Sequence, residues 1–101
     1  MIAQFTLIPL GTKTDSLSQS LVNAMKLVAE SGLAYKAGPM GTAVEGDWDE
    51  VMDLIGRCRE AILKEAPRVM VLIEVDDRKG AKNPIVSKLA SLEKKMGIKL
   101  K

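Results

Sequence analysis

The chain has 101 residues, 47% hydrophobic and 28% charged, which fits one domain over residues 1–101 with a modest core. It contains no histidine and one cysteine, Cys58; this excludes an intrachain disulfide and a paired-cysteine zinc site, and removes the usual general base. The formal charge of +2 hides a gradient: residues 1–77 carry 7 basic and 12 acidic side chains, residues 78–101 carry 8 basic and one acidic. No apolar run approaches the length of a membrane span of about 18 residues, and Met1-Ile2-Ala3-Gln4-Phe5 lacks the basic start and apolar stretch of a signal peptide. The expected location is cytoplasmic, and the basic tail reads as a solvated helix face.

Residues 2–9 read as a strand, with Ala3, Phe5 and Leu7 on one face and Ile2, Gln4, Thr6 and Ile8 on the other. Gly11-Thr12-Lys13-Thr14-Asp15 is a turn. A helix follows, capped by Ser16 with Gln19 three residues on, and Leu17, Leu21, Ala24, Met25 and Val28 form its apolar stripe. Gly32 stops it. Leu33 to Ala37 and Met40 to Gly46 read as two strands of a hairpin across Gly38-Pro39. On the second of these, Thr42 and Val44 share one face, Ala43 and Glu45 the other.

Asp47, with Glu50 three residues later, opens the next helix, whose stripe is Val51, Leu54, Ile55, Cys58 and Ile62. Cys58 on that stripe reads as a buried structural thiol. Arg68 to Asp76 is apolar at consecutive positions, a pattern that calls for cover on both faces. Pro84 opens a last helix with Ile85, Leu89, Leu92 and Met96 on its stripe, and Gly97 ends it. The order is that of an α+β, ferredoxin-like βαββαβ sandwich with a four-stranded antiparallel sheet and a C-terminal helix. Two helices cover one sheet face. The terminal helix, a second subunit or both should cover the other.

Gly41 and Gly46 lack the Lys-Ser/Thr of a phosphate-binding loop, and Gly11-Thr12-Lys13-Thr14 lacks the upstream glycine. Asp47, Asp49 and Glu50 are explained as helix N-terminal acids. Glu45 is not, because strand interiors disfavour glutamate. Trp48 is either a packing anchor at a helix start or a ligand-stacking wall. The open-face positions Ile2, Gln4, Thr6 and Ile8 include no aromatic residue, which argues against stacking on nucleic acid bases.

Two segments carry a family likeness. Ile2-Ala3-Gln4-Phe5-Thr6-Leu7-Ile8-Pro9-Leu10-Gly11 resembles the opening of the small thiamine-binding protein family, and Pro39-Met40-Gly41-Thr42-Ala43-Val44-Glu45-Gly46-Asp47 resembles its central signature. The resemblance implies face-to-face sheet packing into homodimers or homotetramers. It also implies binding of thiamine or its hydroxymethylpyrimidine moiety near the subunit interface, with no catalysis. With the residue readings above, the expected partners are the chain itself and that ligand, with no further cofactor, no metal, no nucleic acid and no membrane. A site for that cation wants a carboxylate, hydrogen-bonding groups and flat apolar walls. On the signature positions these would be Glu45 for the charge or the aminopyrimidine, and Thr6, Thr12 and Thr42 for hydrogen bonds. Gly11 and Gly41 would allow close backbone approach, and Met40 or Trp48 would form a wall.

The alternative is an oligomeric structural or regulatory module with no small ligand, suggested by the doubly apolar last strand and the basic tail. An acylphosphatase-like activity is set aside, because the loop after the first strand holds Lys13 where such enzymes need arginine.

Overall fold

The computed structural model describes residues 1–11, 17–80 and 84–97. Its elements are β1 (Ile2–Leu10), α1 (Leu17–Glu30), β2 (Ala34–Gly38), β3 (Gly41–Glu45), α2 (Trp48–Leu63), β4 (Arg68–Asp76) and α3 (Pro84–Met96). The sheet is antiparallel throughout, in the order β2-β3-β1-β4. This is the ferredoxin-like arrangement expected from the element order. The expected Ser16 cap lies outside the described residues.

Local chemistry sets the boundaries. The side chain of Asp47 accepts from Glu50 N at 2.9 Å, and the Glu50 carboxylate accepts from Asp47 N at 3.3 Å, so both arms of a capping box start α2. At the end of α1 the Ser31 hydroxyl donates to Val28 O at 2.6 Å, and Gly32 turns the chain at φ +80°. β2 ends one residue later than the sequence suggests, and β3 begins at Gly41, leaving Pro39 and Met40 in the turn. The N-terminal ammonium donates to Gly46 O at 2.7 Å while Gly46 N donates to Met1 O at 3.0 Å, adding one step to the β1–β3 pairing.

The core lies between the sheet and the two long helices. Ala3 and Phe5 from β1, Val44 from β3, Ala24 and Val28 from α1, and the full predicted stripe of α2 are buried together. Alternation in β1 therefore works as read: Ala3 and Phe5 point at the helices, while Gln4 stays exposed and Ile8 reaches the open face. The Cys58 thiol is buried on the α2 stripe and donates to Ala24 O at 3.5 Å.

Among the described residues the expected cover over both faces of β4 is absent. β4 is an edge strand. Val69 and Val71 pack against the core, but Ile73 and Val75 on the same face are exposed, as are Met70 and Leu72 on the other. Helix α3 touches the sheet along β3 and leaves Leu92 and Met96 exposed. Consecutive apolar residues thus mark a strand whose cover is not supplied by its own helices.

Burial pushes the Cys58 thiol up from 9.0 to about 11, with Arg57 pulling weakly the other way. Two outcomes follow. In native buffer near neutrality, a thiol reagent should label Cys58 only on the timescale of unfolding, because the thiolate is scarce and covered. The neutral thiol's contribution to stability should be whole below pH 9 and fall away as pH rises from 9 through about 11, since the unfolded chain releases that proton first. Denaturation midpoints across that window check it.

Candidate functional site

β1 pairs with β4 over nine residues, Ile2–Leu10, but with β3 over only four, Ile2–Phe5. The β2–β3 hairpin therefore stops partway along β1. A cleft of about 330 Å³ opens where it stops. Its walls are Phe5, Thr6 and Leu7 of β1, Leu21, Ala24 and Met25 of α1, and the hairpin tip from Gly38 to Thr42.

Four of the predicted ligand residues meet there: Thr6, Met40, Gly41 and Thr42. The Thr6 hydroxyl donates to Met40 O at 3.0 Å and ties the tip to β1. Gly41 lies so close to β1 that a Cβ would sit 3.0 Å from Thr6 Oγ1 and 3.3 Å from Phe5 O. Thr42 is buried, and its hydroxyl donates to Met25 Sδ at 3.7 Å, a weak acceptor. Met40 is 82% exposed and flanks the mouth. Among the described residues no aspartate or glutamate lines the cleft.

The other predicted residues lie elsewhere. Glu45 ends β3 opposite Ile2, four residues beyond Gly41, about 13 Å at strand rise. Trp48 begins α2 at that same far end and is exposed. Gly11 follows the free end of β1 at φ +76°, where a Cβ would lie 2.9 Å from Pro67 Cγ. Thr12 lies outside the described residues.

The cleft's apolar wall was missed. Leu21, Ala24 and Met25 look like core on the α1 stripe, and they are core residues for most of its length. Only the shortness of the hairpin turns the last of them into a wall.

A second depression, about 270 Å³, lies on the open sheet face and is lined by Ile2, Gln4, Ala43, Glu74, Val75 and Asp76. Glu45 stands opposite Ile2 beside it. The open face is thus acidic at one end, while Ile8, Met70 and Leu72 make the other end apolar. Among the described residues no group of three or more His, Cys, Asp or Glu could hold a metal ion, and no helix is long and apolar enough to cross a membrane.

Comparison with known proteins gives a consistent picture. A family model described as "Thiamine-binding protein" matches residues 3–93. The UPF0045 protein YqgV of Bacillus subtilis is 35% identical over 98 residues, covering 92% of this chain and 94% of its own. The UPF0045 protein Mb1933 of Mycobacterium bovis is 35% identical over 95 residues, covering 93% of this chain and 92% of its own. The crystal structure of the MJ1052 protein from Methanocaldococcus jannaschii is 31% identical and superposes with a TM-score of 0.80, covering 90% of this chain and 93% of that one.

The hairpin tip gives the prediction. Gly41→Ala must displace either the Thr6 hydroxyl or the Phe5 carbonyl, and backbone yields poorly, so a loss of about 1–3 kcal/mol is expected. Thr6→Val removes one partly exposed hydrogen bond and should cost about 0.5–1.5 kcal/mol. Chemical denaturation of both variants checks the order.

Proposed function

The chain belongs to the thiamine-binding protein family, and from that premise we propose that it binds thiamine or its hydroxymethylpyrimidine moiety in the hairpin cleft, without catalysing a reaction. The observation that carries this reading is the convergence of Thr6, Met40, Gly41 and Thr42 on one cleft. At about 330 Å³ the cleft is at the small end of ligand sites, which run to roughly 1,000 Å³. That suits a single flat ring between Leu7, Leu21 and Met25. The Thr42 hydroxyl, held now only by a thioether, can exchange that partner for a ring nitrogen at little cost. The Thr6 hydroxyl and the backbone of the tip supply the remaining polar edge.

Among the described residues that line the cleft, no side chain balances the thiazolium charge. We assign that role to Glu45, which lies on the open sheet face. Its separation from Gly41 means it reaches the charged ring only of a ligand held by a second copy stacked on that face, in a homodimer or homotetramer. The exposed Ile8, Met70 and Leu72 favour such stacking. They also support the alternative of an interaction module with no ligand, in which that packing is the whole function.

Isothermal titration with hydroxymethylpyrimidine and with thiamine tests the proposal. Both should bind saturably. Thr42→Val should weaken both about fivefold, the worth of one hydrogen bond near 1 kcal/mol. Glu45→Gln should weaken thiamine more than hydroxymethylpyrimidine, because only thiamine carries the thiazolium charge. A loss in Glu45→Gln with Thr42→Val silent would move the site to the acidic depression on the open face. Absence of binding by either compound would leave the interaction module.

A further inference from the structure

An apolar groove of about 490 Å³ lies beside the hairpin cleft, between α1 and the edge strand β2. Val22, Lys26 and Ala29 of α1 and Tyr35 and Ala37 of β2 line it. It shares two residues with the cleft, Leu21 and Met25. These stand one turn apart on α1 and form a ridge between the two spaces. On the sheet side the division falls between Thr42, which lines the cleft, and Ala37, its partner in the β2–β3 pairing, which lines the groove. The Thr42 hydroxyl donates to Met25 Sδ at 3.7 Å, so the thioether joins helix to sheet at that division. Ala37 is too small to take its place. The wall between cleft and groove therefore rests on one unbranched, flexible side chain.

We propose, on the ligand reading above, that Met25 is the specificity-determining residue of the cleft and reads the substituent at C2 of a bound pyrimidine ring. In that reading the Thr42 hydroxyl passes from Met25 Sδ to a ring nitrogen, which would stand about 2.8 Å from it. C2 is the one pyrimidine carbon bonded to both ring nitrogens. Whichever nitrogen accepts, the C2 substituent starts next to the hydroxyl, against the thioether just released. The methyl of hydroxymethylpyrimidine fits there, with the sulfur packed at the ring edge. A longer chain meets the ridge. With the ridge removed, the same chain passes into the groove, whose walls are apolar apart from Lys26 and the Tyr35 hydroxyl.

Isothermal titration with hydroxymethylpyrimidine and its 2-butyl analogue tests this. The parent protein should bind the analogue roughly tenfold or more weakly, the scale on which an apolar pocket rejects extra methylenes. Met25→Leu, which keeps the volume, should preserve that preference. Met25→Ala should abolish or invert it. Adding Ala37→Leu, which fills the groove at a position outside the cleft lining, should restore it, a result that general loosening of the core would not give. Equal binding of both compounds by the parent, an unchanged preference in Met25→Ala, or a preference that Ala37→Leu fails to restore would overturn the proposal and leave the ligand reading standing. No binding of hydroxymethylpyrimidine by the parent overturns that reading and this one with it. In the unmodified protein the Met25 methyl resonance should shift on saturation with hydroxymethylpyrimidine, while that of Met52, outside both linings, stays in place. An unmoved Met25 methyl at saturation also sinks the proposal.

Discussion

The unequal pairing of β1 governs this molecule. The strand gives nine residues to β4 and four to β3, because the hairpin is only five residues deep on each side. Where both neighbours are present, Ala3 and Phe5 are sealed beneath the helices. Where β3 is missing, the same alternation of side chains continues, but its helix-facing members line a cleft instead of a core. The cleft and the fold are consequences of one register. Thr6 marks the boundary, with its hydroxyl bound to Met40 O and closely approached by Gly41.

The same asymmetry shapes the surface. β4 follows β1 along its whole length, and while Val69 and Val71 pack against the core, Ile73 and Val75, opposite Phe5 and Ala3, are left exposed. A chain of this size has too few helices to cover both faces of a nine-residue edge strand. The apolar residues left over are concentrated on that strand and on the neighbouring part of the open face, and carboxylates gather at the other end around Ile2 and Gln4. A face so divided can orient a second copy as well as attract it, since apolar area supplies attraction and charge supplies direction.

Much of the architecture was legible in the residues. Period-two alternation in β1, the α2 stripe and the Asp47/Glu50 box each appear where the pattern places them, because each rests on contacts between residues close in sequence. The cleft was legible in part. Thr6, Met40, Gly41 and Thr42 converge, since a turn and its neighbouring strand bring them together. Glu45 and Trp48 were grouped with them because they follow within eight residues of Met40. An extended strand carries five residues about 16 Å, so closeness in sequence became distance in space. Met25 shows the converse: it looks like an ordinary core residue on its helix, and it faces a cleft only because of where a different element ends.

By itself, then, the sequence determined the type and order of the elements, the buried faces of β1, β3, α1 and α2, and the chemistry of the hairpin signature. These follow from local periodicity, capping and turn residues. Only the tertiary structure decided which strands became edges, how far the hairpin overlaps β1, and that β4 is left uncovered despite its doubly apolar pattern. Those outcomes depend on strand register and on the reach of helices over the sheet, and both are set by contacts between residues tens of positions apart, which no local pattern records.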